Sequence, residues 1–156
     1  MYRRVLVTLD GSQLAEQVLP HVKALLAGRS GVHLYLLSVA QISDMAAASA
    51  MVYPIAVYPG QPIDEEAERR RVEGELSNYL RGLEKDLAQP GIEVSSEVRF
   101  GHPAEEIISY AHDIGADLIA MCTHGRSGLA RWAYGSIADR VLRTADCPVL
   151  LVRAKQ

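Results

Sequence analysis

Apolar residues along the chain follow two spacings, one typical of buried strands and the other of amphipathic helices. Short apolar runs predict five strands, at residues 5–9, 32–39, 92–100, 117–122 and 147–153. Between these runs the apolar residues recur every three or four positions, which predicts four helices, at residues 14–26, 64–87, 103–114 and 136–144. Every strand except the last is therefore followed by a helix.

Three segments of this pattern carry further expectations. Pro20 lies inside the first helical segment and is expected to kink it, because proline removes a backbone hydrogen bond. The alternation of apolar and polar residues over 92–100 is typical of a half-covered or edge strand. Residues 41–63 fit neither spacing and are interpreted as a long surface loop, which is more often a lid or a contact surface than a passive connection.

The alternation of strands and helices favours an α/β fold: a single doubly wound domain over residues 1–156, with a parallel sheet and helices on both faces. Such sheets bind ligands at the carboxyl ends of their strands, where the strand order reverses. Asp10 ends the first predicted strand and Cys122 ends the fourth. If these two strands are neighbours, Asp10 and the segment that follows Cys122 face one crevice.

The segment from Cys122 to Ser136 joins a buried strand to a helix and contains several glycines. Backbone N–H groups in such a turn can cradle an anion, and the helix dipole adds about half a positive charge. The segment therefore predicts a phosphate site, and a phosphate site suggests a nucleotide. The alternative is a tight turn that needs glycine, with Ser136 as the N-cap of the helix.

Composition and charge exclude several classes of function. The 156 residues carry a formal net charge of −3, which favours neither nucleic acid nor an anionic membrane as a partner. The two cysteines, Cys122 and Cys147, have no CxxC spacing, so the sequence predicts no disulfide framework or zinc site and fits a reducing cytoplasm. The N-terminus enters a strand at once, so no signal peptide is expected, and no apolar run reaches transmembrane length.

The glycine segment resembles the phosphate loop of the universal stress protein family, which reads Gly-x2-Gly-x9-Gly-Ser/Thr. Gly125 matches the second glycine, nine residues separate it from Gly135, and Ser136 supplies the hydroxyl, whereas Cys122 replaces the first glycine. Two further segments are also similar to sequences of this family. They are Thr-His-Gly-Arg-Ser-Gly at 123–128 and Cys-Pro-Val-Leu-Leu-Val-Arg at 147–153. The resemblance covers nearly the whole chain. It implies a flavodoxin- or Rossmann-like sheet of strand order 3-2-1-4-5 that binds ATP, or AMP or ADP, with or without Mg2+.

The resemblance also assigns a set of nucleotide-binding residues. It places Asp10 near the adenosine and the backbone of Val39 against adenine, and it places phosphate contacts at the glycine segment. The full predicted set is Asp10, Val39, Met121, Cys122, Gly125, Arg126, Gly135, Ser136 and Ile137. Three alternatives stay open: Asp10 capping the following helix, Val39 as plain core, and Arg126 as an ordinary surface arginine.

The sequence supports binding more than catalysis. It contains neither a Gly-x4-Gly-Lys-Ser/Thr phosphate loop nor a nucleophile–base pair, so ATP hydrolysis would be slow at most. The leading hypothesis is a cytoplasmic nucleotide-binding protein that acts as a stress-response sensor or regulator. The alternative is a dimeric scaffold without nucleotide, in which Cys122 partly fills the crevice and protein partners carry the function.

Two further expectations concern the last strands. The strand Val149–Val152 is apolar and lies at the sheet edge in the family's strand order, which predicts a homodimer formed through this edge. A position beside a helix-type anion site would lower the pKa of the Cys122 thiol and would permit a redox role.

Overall fold

The computed structural model describes residues 2–41, 64–123 and 136–155, and these form a five-stranded parallel sheet with helices on both faces. The strand order is β3-β2-β1-β4-β5, which confirms the predicted doubly wound fold. The elements in chain order are β1 (Arg4–Thr8), α1 (Gln13–Glu16), α2 (Leu19–Leu26), β2 (Val32–Ala40), α3 (Glu65–Leu87), β3 (Ile92–Phe100), α4 (Pro103–Asp113), β4 (Leu118–Cys122), α5 (Ser136–Thr144) and β5 (Val149–Val152). Residues 41–63 were predicted to form a long surface loop. All of them except residue 41 lie outside the described residues.

Two hydrophobic layers enclose the sheet, because successive side chains of a strand point to opposite faces. Val5, Val7 and Leu36 belong to the layer beneath α1, α2 and α3. Leu6 and Leu37 belong to the layer beneath α4 and α5. All five side chains are fully buried, so the central strands β1 and β2 are apolar on both faces, as parallel strands covered on both sides must be.

The prediction of one kinked helix over residues 14–26 is wrong. The structure has two helices there, α1 and α2, with Gln17 as the C-cap of α1 and Val18 as the N-cap of α2. Pro20 is the second residue of α2, where a backbone N–H has no partner inside the helix in any case. Proline therefore stabilises the start of α2 instead of bending a longer helix.

Helix α3 is the longest element, with 23 residues, and agrees with the prediction for 64–87. Asp64 is its N-cap and accepts a hydrogen bond from the N–H of Ala67 at 3.0 Å. Arg71 pairs with Glu68 and Glu75 along its exposed side. Such pairs one turn apart support the polar first half of the helix, whereas Leu80 and Leu87 anchor the second half in the core.

The two edge strands of the sheet differ in character. Along β3 every residue from Val94 to Phe100 is half-buried, which confirms the predicted edge position. Arg99 on this strand pairs with Glu97 at 2.8 Å and with Asp113 at 2.9 Å, and its guanidinium lies 4.5 Å from the centre of the Tyr110 ring. At the opposite edge, β5 is apolar throughout.

No helix in the described part of the chain is both long enough and apolar enough to cross a membrane.

Candidate functional site

The strand order reverses beside β1, which lies between β2 and β4. Val5 pairs with Leu118 and Val7 with Ala120 in parallel register, so the carboxyl ends of β1 and β4 lie side by side. The expectation that these strands are neighbours is therefore confirmed. Asp10 follows the end of β1 and Cys122 is the last residue of β4, so both lie at the switch point where sheets of this kind bind ligands.

The chain just before Asp10 is fixed from the side of β2. The N–H of Leu9 donates to the carbonyl oxygen of Leu37 at 2.9 Å. The hydroxyl of Ser38, which is fully buried, donates to the carbonyl oxygen of Leu9 at 2.8 Å. Both hydrogen-bonding groups of the Leu9 backbone are thus satisfied, which holds in place the backbone that precedes Asp10 at the end of β1.

The Asp10 carboxylate supports the first turn of α1 without being its cap. Asp10 Oδ1 accepts from the N–H of Ser12 at 2.9 Å and from its hydroxyl at 2.6 Å. Ser12 Oγ in turn accepts from the N–H of Ala15 at 3.1 Å and is the N-cap. Because an ionised carboxylate offers about four acceptor positions on two oxygens, the exposed Asp10 retains capacity for a ligand. The N-cap of α1 is therefore Ser12 and not Asp10, which supports the cap through its hydrogen bonds to Ser12.

Helix α3 closes one side of this turn. A side chain on Gly11, which has φ +81°, would lie 3.9 Å from Leu76. Tyr79 donates a hydrogen bond to Glu16 Oε1 at 3.0 Å. Burial raises the pKa of Tyr79 above its ordinary value, and the Glu16 and Asp10 carboxylates reinforce that rise, so Tyr79 stays a neutral donor. The Glu16–Tyr79 pair was not predicted from the sequence, where a tyrosine within a leucine stripe is the signal for it.

Met121 and Cys122 end β4 with side chains in different layers. Met121 is buried in the layer of α4 and α5, whereas the half-buried Cys122 packs against the layer of α1, α2 and α3. Burial raises the pKa of the Cys122 thiol. The N–H of Val18 lowers it by a smaller amount, and the charge of Asp10 raises it further. The expected lowering of this pKa is therefore wrong, because the thiol faces apolar side chains and a carboxylate.

Both thiols should consequently react slowly at neutral pH, since burial also raises the pKa of the Cys147 thiol. We expect alkylation by iodoacetamide at pH 7 to be at least about tenfold slower than that of free cysteine, and to keep rising with pH beyond the point at which the rate for free cysteine levels off. Mass spectrometry of timed samples would measure both rates separately. A Cys122 that is alkylated at pH 7 as fast as free cysteine would contradict this assignment.

The other predicted residues divide into two groups. Val39 lies one residue before the end of β2, pairs with Arg99 of β3, and packs its half-buried side chain in the layer of α4 and α5. Ser136 is the first residue of α5 and is exposed, and Ile137 is 37% exposed. Gly125, Arg126 and Gly135 lie outside the described residues. Within residues 2–41, 64–123 and 136–155, no group of three or more His, Cys, Asp or Glu side chains could hold a metal ion.

A doubly wound parallel sheet of this strand order belongs to the class of Rossmann-like α/β domains. The model of the universal stress protein family matches residues 1–153. The chain belongs to the universal stress protein family.

Individual relatives cover nearly the whole chain. Universal stress protein MJ0577 of Methanocaldococcus jannaschii is 29% identical over 99% of this chain and 97% of its own length. Universal stress protein YxiE of Bacillus subtilis is 29% identical over 98% of this chain and 100% of its own length. The solved structure of MJ0577 superposes with a TM-score of 0.80 at 28% identity and covers 100% of this chain and 99% of that one.

Proposed function

We propose that the protein binds an adenine nucleotide, ATP or AMP or ADP, between Asp10 and the 122–136 segment, and that it acts in the cytoplasm as a stress-response sensor or regulator. The observation that carries this proposal is the position of Asp10. Its exposed carboxylate lies at the switch point, directly beside the end of β4 from which the glycine segment continues. Parallel sheets of this class bind their ligands at that place.

Solved relatives make an adenine nucleotide the first ligand to test. One universal stress protein has been solved in complex with cAMP, and one from Archaeoglobus fulgidus in complex with dAMP. These two proteins are 18% and 21% identical to this chain, so the likeness concerns the fold alone. The ligand assignment for this chain rests on its own residues.

The proposed binding mode uses groups of complementary chemistry. The Asp10 carboxylate accepts from a ribose hydroxyl or from the adenine amino group. The phosphates lie against the N–H groups at the start of α5, at Ser136 and Ile137, where the helix dipole favours negative charge. Met121, Cys122, Gly125, Arg126 and Gly135 complete the proposed set, with the backbone of Val39 against adenine. Bound nucleotide would shift the population of conformations at a partner-binding surface.

A thermal-shift titration tests the proposal. A ligand present at a hundredfold excess over its Kd stabilises the folded state by about 2.7 kcal/mol, which moves the Tm of a domain of this size by several degrees. We expect a saturable shift with ATP, with and without Mg2+, that is absent in the Gly135→Val variant. The absence of any shift up to millimolar ATP or AMP would refute the nucleotide proposal.

The position of Cys122 favours a second candidate, the dimeric scaffold without nucleotide. Cys122 places a side chain at the end of β4, beside the strand end that carries Asp10, where the family motif has glycine. The Cys122→Gly variant separates the two functions. If nucleotide binds, we expect the variant to bind ATP within about threefold of the wild type, because the Cys122 side chain packs toward the core. Binding by the variant alone would support the scaffold.

We also propose a homodimer formed through the edge of β5. The carbonyl groups of Pro148 and Val152 accept hydrogen bonds from Ile119 and Thr123 beside them. Since backbone groups alternate sides along a strand, the N–H of Leu151 points to the free edge, where a second copy can pair with it.

Proline at that position removes the outward N–H and is tolerated best on an edge strand. The Leu151→Pro variant should therefore be a monomer at concentrations at which the wild type is a dimer, as measured by light scattering. Circular dichroism of the variant checks that it is folded. A wild type that is already monomeric at micromolar concentration would refute the dimer.

A further inference from the structure

Helix α1 consists of a single turn, Gln13–Glu16, and directly follows the Asp10–Ser12 turn of the proposed nucleotide site. An isolated turn of helix is not stable, because nucleation fixes several residues for one hydrogen bond. Contacts from outside α1 must therefore hold it in place. At its N-terminal end these are the bonds between Asp10 and Ser12, and on its flank the Glu16–Tyr79 hydrogen bond to α3.

At the C-terminal end of α1 the contact comes from the segment after β5. The Gln17 side-chain amide donates from Nε2 to the carbonyl oxygen of Lys155 at 2.8 Å. Its Oε1 accepts from the N–H of Lys155 at 2.8 Å. The primary amide thus pairs with the Lys155 backbone through both a donor and an acceptor, as two backbone segments would. We call this pair of hydrogen bonds the Gln17 latch.

The segment held by the Gln17 latch also touches the opposite side of the switch point. The carbonyl oxygen of Val152 accepts from the N–H of Thr123 at 2.9 Å, and Thr123 is the residue directly after β4. Ala154, between these two contacts, is buried. Residues 152–155 therefore connect the end of β4 to the end of α1, the two chain segments that flank the switch point.

We propose that Gln17 is a positioning residue of the ligand site: through the Gln17 latch it holds α1, and with it the Asp10 carboxylate, at a fixed place relative to the end of β4. This role rests on the proposed nucleotide function, because a ligand that bridges Asp10 and the end of β4 gains affinity when their separation is set before it binds. Loss of the latch removes two hydrogen bonds remote from the ligand. We expect the Kd to rise about three- to tenfold.

Four variants isolate the latch. Gln17→Ala removes both hydrogen bonds, and Lys155→Pro removes the N–H donor from the other side. Gln17→Glu keeps an acceptor for that N–H but sets a second carboxylate oxygen against the Lys155 carbonyl oxygen, so it should weaken binding at least as much as Gln17→Ala. Lys155→Ala is the matched control, because the latch uses only the backbone of Lys155. All are measured well below their Tm, with circular dichroism to check that each is folded.

Calorimetric titration with ATP gives the first readout and amide hydrogen exchange without ligand the second. We expect Gln17→Ala and Lys155→Pro to raise the Kd, and the Ser12 and Ala15 amides to exchange faster in both, whereas Lys155→Ala matches the wild type.

A double-mutant cycle gives the third readout. In an Asp10→Ala background, Gln17→Ala should not weaken binding further, because its effect passes through Asp10. A purely structural effect would persist in that background.

The other outcomes overturn the inference in distinguishable ways. Faster exchange with an unchanged Kd would overturn the positioning role and leave the proposed function intact. An equal loss of affinity with and without Asp10 would do the same. No binding of ATP, ADP or AMP by the wild type would overturn the proposed function and the role of Gln17 with it.

Discussion

Replacement of Asp10 by alanine is expected to weaken ATP binding by about ten- to hundredfold. The carboxylate is exposed at the switch point, and a hydrogen bond to a charged group contributes about 1.5–3 kcal/mol, which corresponds to this range. Isothermal titration of the wild type and of Asp10→Ala measures the loss directly. Asp10→Asn should lose less, because an amide oxygen still accepts hydrogen bonds although it carries no charge.

The control for this experiment is Ser12→Ala, because Asp10 also supports the N-cap of α1. Removal of the Ser12 hydroxyl should cost about 1 kcal/mol of stability, the usual effect of a lost N-cap. If Asp10 contacts the nucleotide, Ser12→Ala should weaken binding by no more than the few-fold loss expected for Gln17→Ala, because the carboxylate itself remains in place. An affinity loss as large as that of Asp10→Ala would instead show that Asp10 acts through the cap alone.

Truncation of Leu36 to alanine should have the largest effect on stability. Leu36 is fully buried in β2, which pairs with β1 on one side and β3 on the other. The cavity left in the layer beneath α1, α2 and α3 should lower the free energy of unfolding by about 2–5 kcal/mol. Since total stability is typically about 5–15 kcal/mol, the variant should unfold at a clearly lower urea concentration.

The matched control for Leu36→Ala is the same substitution at Leu142, which is 40% exposed on α5. Leu142→Ala should change the free energy of unfolding by less than about 1 kcal/mol, because little buried volume is lost. Leu36→Met, which nearly conserves volume, should cost less than about 1.5 kcal/mol. Equal losses for the two alanine variants would contradict the assignment of Leu36 to the core.

Local signals allowed most of the fold to be predicted from the sequence. Helix α5 spans Ser136–Thr144 as predicted, and α3 begins after the Asp64 cap, because caps and apolar spacing act within a few residues. The break between α1 and α2 was missed because Pro20 was interpreted as a kink inside one helix, whereas the structure places it in the first turn of α2. The contact between Gln17 and Lys155 could not be predicted, because the two residues are 138 positions apart in the chain.

The candidate site was predictable in position but not in chemistry. The switch point follows from the strand order, and that order places Asp10 beside the end of β4. The direction of the Cys122 pKa depends on which layer the thiol enters and on the distance of Asp10, and both are tertiary properties. The same holds for the Glu16–Tyr79 pair, whose members are 63 residues apart in the chain.

The unequal edges of the sheet would limit the size of the proposed assembly. Two edges able to pair on every copy would let copies add without limit and would produce an extended sheet. At the β3 edge Arg99 pairs with Glu97 and Asp113, and charged side chains resist pairing with another strand. Of the two edge strands that the structure describes, β5 is the apolar one, so the proposed pair, joined at these strands about a two-fold axis, would use the pairing edge of both copies, and growth would stop at two.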